Sequence, residues 1–281
     1  MESTRSSNAD GAYGFRIHGV VAPPSHLVQA PAHWPPIELS VRVMPSPPLA
    51  EEYVGVDRAS LQVRSGGSVV MDRAAGTATF LLPSQPSVSA LLHPHLAGVA
   101  AVWSHWCGYD GFHAGGFVAG GGVWGVLGDK GSGKSSTLAA LARAGIPIVC
   151  DDVLVLGGGM AFAGPRSIDL RTDAARELGA GQPLGVIGER ERWRVALGSI
   201  QPELPFRGWI ALSWGPAASV RPMRGSERMR PLVEQRALRV PPRTPSALID
   251  LADRPFLEFS RPRHWGSMKD ALGLLLDAVA A

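Results

Sequence analysis

Gly128-Asp129-Lys130-Gly131-Ser132-Gly133-Lys134-Ser135 spells G-x-x-x-x-G-K-S, and its flanks restrict what the chain can fold into. Before it runs Val123-Trp124-Gly125-Val126-Leu127, short and apolar, of strand type. After it runs Ser136 to Ala144, rich in helix formers, then Gly145 as a cap and Pro147 as a stop. Strand, glycine loop and helix in that order is the layout of a phosphate-binding loop in an α/β sheet. Glycines let backbone N–H groups surround phosphate oxygens, and the helix N-terminus adds partial positive charge. Lys134 is expected to reach the β- and γ-phosphates of ATP, and the Ser135 hydroxyl to ligate Mg²⁺. The whole run from Gly128 to Ser135, with Ser136 beside it, is the candidate nucleotide site.

The next apolar run, Ile146 to Cys150, ends in Asp151 and Asp152. Open α/β sheets place ligands beyond the carboxyl ends of their strands. One carboxylate there can hold Mg²⁺, and a second can take the proton from an attacking hydroxyl. Neighbouring residues on an extended chain point to opposite sides, so the two are expected to differ in role.

Loop, helix, glycine, apolar strand and Asp-Asp together resemble the catalytic domain of HPr kinase/phosphorylase and its relatives. Those enzymes also carry a histidine and a small residue before a hairpin that leads into the loop. His113-Ala114 stands in that place here. The resemblance is good over residues 108–171 and loose elsewhere. It implies that Asp151 is the base activating a serine hydroxyl, that Asp152 is a magnesium-side carboxylate, and that His113 assists phosphate positioning or proton handling. It also implies a homo-oligomer, since HPr kinases are commonly hexamers.

One departure matters. The bifunctional family has Glu-Ile-Arg-Gly-Leu-Gly after the acidic pair, and this chain has Ala163-Gly164-Pro165-Arg166-Ser167-Ile168-Asp169-Leu170-Arg171. In that respect it is more similar to the shortened HPr-kinase-like proteins found beside ribosomal-peptide gene clusters, lasso-peptide clusters among them. Some of those phosphorylate a serine of a precursor peptide. The expected fold is therefore α/β, a P-loop kinase core of HPr-kinase type with a mixed sheet and flanking helices. The expected divisions are a disordered tail over 1–11, a β-rich region over 12–90 and a catalytic domain over 91–281.

Composition narrows the classes. A hydrophobic share of 45% with 18% charged residues fits a folded chain. The net charge is +3, and no basic block interleaves with aromatics, so nucleic-acid binding is not expected. Cys107 and Cys150 form no C-x-x-C and are expected to be reduced, which fits a cytoplasmic protein. No apolar run approaches the ~20 residues of a membrane span. Asn8 is the only asparagine, so neither the GTPase N-K-x-D motif nor the protein-kinase H-R-D-x-x-x-x-N loop exists here.

Three functions remain open. The first is a kinase for a Ser or Thr hydroxyl of a peptide or small protein, the second a small-molecule kinase, the third a non-catalytic nucleotide sensor. The acidic pair favours the kinases, because a passive binder has no need of a base.

Elsewhere, Tyr13 to Val21 and Ile37 to Val43 read as strands, and Leu61 to Leu82 as a meander. Pro86 to Trp106 reads as one or two helices, and Ser267 to Ala280 as a closing helix. His93, His95 and His105 match no metal-binding spacing. Arg190, Arg192 and Arg194 would share one face of a strand, to meet phosphate or an acidic peptide, or as an ordinary solvated edge strand.

Overall fold

The computed structural model describes residues 9–23, 25–47, 51–63, 66–187, 190–242 and 244–280. It is a mixed α/β fold with three sheets. Eight strands of residues 10–82 form the first sheet. Its centre is Pro36–Val43, parallel to both Phe15–His18 and Thr77–Leu82. The meander expected over 61–82 is present as Arg58–Gln62, Ser68–Asp72 and Thr77–Leu82, paired antiparallel.

Two expectations in this region change. The tail expected over 1–11 gives way to the strand Asp10–Ala12, while residues 1–8 lie outside the described ones. The single strand expected from Tyr13 to Val21 breaks at a hairpin turn, with Tyr13 at φ +60°. The turn is driven by burial. Tyr13 is 1% exposed, and its N–H donates to Ala163 O at 2.7 Å, so the side chain is drawn into the core rather than along the strand.

The second sheet has nine strands and carries the loop. Its spine is Glu203–Trp214. The first part of this strand pairs antiparallel with Met160–Phe162, and the last part runs parallel to Phe256–Arg261. On its other edge lies the loop strand, Gly122–Leu127, also parallel to it. All six residues of the loop strand are buried, as expected for a strand covered on both faces. Gly115–Ala119 pairs with the loop strand as a hairpin and also with Ile148–Cys150, which ends at Asp151. A third sheet of Ser167–Leu170, Arg190–Ala196 and Gln182–Ile187 stands beside that end.

Helices fill the faces. Lys134–Arg143 and Met268–Ala280 share one core cluster with the loop strand, through Leu138, Leu141, Leu272 and Leu275. Leu96–Cys107 belongs to the other cluster, which takes in buried residues of both the first and the second sheet. Trp34 stands at that junction. Its ring meets Phe162 edge-on at 5.9 Å, and its Nε1–H donates to Glu203 Oε1 at 2.5 Å.

The segment before Leu96–Cys107 is less regular than the expected helix. His93 is extended (φ −152°, ψ 119°), and Pro94, which has no N–H to offer a helical ladder, follows it. The kink turns His93 inward, to 2% exposure.

Candidate active site

The loop strand delivers Gly128 to Gly133 at its carboxyl end, and Lys134–Arg143 begins at once. Gly131 (φ +91°) and Gly133 (φ +84°) occupy the left-handed region, which glycine enters without steric cost. The loop is closed by Ser132 N–H donating to Asp129 O at 3.0 Å. From below it is braced by Arg261, 1% exposed, at the end of Phe256–Arg261. Its guanidinium donates to Ser132 O at 3.2 Å, Gly133 O at 3.3 Å and Thr137 Oγ1 at 2.7 Å. Burial pushes the Arg261 pKa down to about 10.

Lys134 is 9% exposed, and its ammonium donates to Gly128 O. Burial pulls its pKa down, and the nearby charges of Asp152, Asp151 and Asp129 oppose that shift. Ser135 and Ser136 are half-buried in the first turn of the helix, while Asp129 and Lys130 are exposed at the loop tip.

Asp151 lies 5% exposed where Ile148–Cys150 ends, and Asp152 beside it is half-buried. Burial drives the Asp151 carboxyl well above the usual carboxylate range. The Asp152 and Asp169 charges push the same way, against the Ser135 hydroxyl and the Asp169 N–H, which favour the ionised form. That N–H donates to Asp151 Oδ2 at 3.3 Å. Lys134, Ser135, Asp151 and Asp152 thus come together at the loop.

His113 is exposed, on the link between Asp110–Phe112 and Gly115–Ala119. Its N–H donates to Gln235 O at 2.6 Å, and the Gln235 amide donates to Asp129 Oδ1 at 3.0 Å. His113 therefore stands at the rim of the loop, outside the buried cluster.

The arginine stretch is not an edge strand. Arg190–Ala196 runs through the middle of the third sheet, paired on both sides, while Gly188 and Glu189 lie outside the described residues. Arg192 and Arg194 do not act alike. Arg194 is 8% exposed and bidentate to Asp169, with Nε–Oδ1 at 2.8 Å and Nη2–Oδ2 at 3.0 Å. It is consumed by that pair and by the carbonyls of Ser89 (2.9 Å) and His93 (2.7 Å). Arg192 stays partly exposed, with Nη1 at 3.9 Å from Asp169 Oδ2.

Several residues at the site escaped sequence reasoning. His93 Nε2 lies 3.7 Å from Asp169 Oδ2 and 3.9 Å from Asp151 Oδ2, and burial lowers its pKa against the opposing pull of the Asp169 and Asp152 charges. Arg166 donates to Ile148 O (2.7 Å), Val149 O (3.1 Å) and Gly198 O (2.9 Å), so it anchors the strand that presents Asp151. Asp169 left one usable signal, a lone acid between the apolar residues Ile168 and Leu170. Arg261 left none. Among the described residues no group of three or more His, Cys, Asp or Glu is arranged to hold a metal.

Fold and site together define a mixed α/β protein with a glycine-rich loop between a buried strand and a helix, and a buried carboxylate beside it. No protein-family model matches the chain, and no curated protein matches it either. Among solved structures, the chain is similar to the Hpr(Ser) kinase/phosphatase from Coxiella burnetii at 13% identity and a TM-score of 0.31, over 60% of this chain and 95% of that one. No helix among the described residues is long and apolar enough to cross a membrane.

Proposed function

We propose that this chain transfers the γ-phosphoryl group of ATP to a Ser or Thr hydroxyl of a peptide or small protein, a precursor peptide in the first instance. The observation that carries this reading is the buried carboxyl of Asp151 beside the loop, its pKa raised toward the pH at which a base must work. The sequence likeness to HPr kinases in loop, Asp-Asp and histidine supports it, and with it a kinase core of that type.

Phosphate fits the loop. Ser132 Oγ is buried without a hydrogen-bond partner among the described residues, and a side chain at Gly131 would meet nothing within 4 Å, so the tip has open space. Magnesium fits the donor set, which is all oxygen. Ser135 and Asp152 would hold it, with substrate phosphates completing the shell. When bound, Mg²⁺ supplies positive charge against the phosphate oxygens.

The chain's own groups then have definite tasks. Backbone N–H groups of the loop and the ammonium of Lys134 hold the triphosphate in place. Asp151 takes the proton as the acceptor's O–H bond breaks, and the freed oxygen attacks the γ-phosphorus while the bond to the ADP oxygen breaks. Most of the rate comes from positioning and from charge placed in advance, since the phosphoryl group needs little covalent help.

The test is a transfer assay with ATP, Mg²⁺ and the peptide encoded beside the gene, read by mass spectrometry. A gain of one phosphate on Ser or Thr, absent in Lys134→Ala and Asp151→Asn, is the expected result. Nucleotide binding without transfer to any hydroxyl, or wild-type rates in Asp151→Asn, would sink the assignment.

A further inference from the structure

Seven of the eight tryptophans are buried or half-buried, and one is not. Trp214 keeps 40% of its surface exposed, and it sits at the carboxyl end of Glu203–Trp214, directly beside the phosphate loop. The closeness is measurable: a Cβ placed on Gly133 would lie 3.3 Å from Trp214 Cη2 and 3.4 Å from Cζ2.

The ring is also held. The Arg261 guanidinium lies 4.2 Å from the indole centroid, and the same guanidinium bonds the loop carbonyls of Ser132 and Gly133. Loop and indole therefore share one rigid support. Arg263, exposed, lies 5.7 Å from the same ring. The two strands that deliver these residues are the parallel neighbours lying successively beyond the loop strand, and their carboxyl ends form the side of the loop away from Asp151. Ligands of open α/β sheets extend over such ends.

Resting on the reading that the loop binds a nucleoside triphosphate, we propose that Trp214 is the platform on which the base of that nucleotide stacks, with Arg263 at its rim. The phosphates occupy the loop, and the ribose that follows them carries a flat aromatic base past the loop's edge. Such a base fits an exposed indole backed by a guanidinium. Stacking reads the face of a base and not its edge, so the site takes nucleoside triphosphates with little choice between adenine and guanine.

The experiment is calorimetric titration of the full chain with ATP, GTP and inorganic tripolyphosphate, each with Mg²⁺, for the wild type, Trp214→Ala and Trp214→Phe. Expected are a loss of about tenfold or more in ATP and GTP affinity in Trp214→Ala, unchanged tripolyphosphate affinity, and substantial recovery in Trp214→Phe. Two results overturn the inference. One is unchanged ATP affinity in Trp214→Ala, for instance with only the acceptor KM raised, which would give the indole to the acceptor. The other is an equal loss for ATP and tripolyphosphate, which would mean that the ring only props the loop. A wild type that binds none of the three ligands overturns both this inference and the phosphate-loop reading. ATP binding that follows the expected pattern without phosphoryl transfer sinks the kinase alone.

Discussion

Replacing Arg194 by Met should cost about 3–5 kcal/mol of stability, the range for removing one partner of a buried ion pair. Arg194 is 8% exposed and Asp169 side-chain atoms are 1% exposed, so water cannot replace the lost partner. The substitution deletes both bonds to Asp169, at 2.8 and 3.0 Å, and those to Ser89 O and His93 O. Arg192, 3.9 Å from the stranded carboxylate, offsets part of the loss and argues for the lower half of the range. In a chain of this size such a loss lowers Tm by on the order of 10 °C. Denaturant unfolding of Arg194→Met, Asp169→Leu and the double variant checks it as a cycle. The double variant should recover much of the loss, because an apolar pair carries no desolvation cost. An Arg194→Met cost below about 1 kcal/mol, or strict additivity, would refute the reasoning that Arg194 and Asp169 form a buried pair whose lost partner water cannot replace.

Asp151→Asn should change stability in a pH-dependent way. The folded pKa of Asp151 is raised, so the wild type holds its full contribution below the ordinary carboxylate pKa and sheds up to about 1.4 kcal/mol per unit as pH rises toward the folded value. Asn has no such loss. The Tm of the variant relative to wild type should therefore climb from pH 5 to pH 8, and a flat difference would contradict the shift. Thiol labelling should find one fast cysteine in the native chain and two after denaturation. Cys107 is exposed, whereas Cys150 is fully buried and its thiol is pushed far up by burial and by Asp151. Two fast thiols in the native chain would contradict the packing of Ile148–Cys150.

Local pattern made the central unit legible. The apolar run before the loop, the helix after it and the strand ending in Asp151 are each specified by neighbours within a few residues, and the structure has them at Gly122–Leu127, Lys134–Arg143 and Ile148–Cys150. The same holds for the meander to Leu82 and for the closing helix Met268–Ala280. The Tyr13 turn was not legible, because its cause is an Ala163 carbonyl 150 positions away. Nor was the placement of Arg190–Ala196 between two partners, since alternation along a strand does not say which edges are covered.

The sequence by itself determined that a glycine loop would stand between a buried strand and a helix, and that two carboxylates would follow at the end of another strand. Only the tertiary structure decided what surrounds them: Arg261 beneath the loop, Asp169 and His93 behind Asp151, Arg166 on the strand that presents it, and Trp214 at the rim. The physical reason is range. Helix and strand follow from side-chain periodicity over a few residues, whereas the burial of a charge beside its partner depends on chain segments up to 129 residues apart, and such a meeting leaves no periodic trace in the sequence.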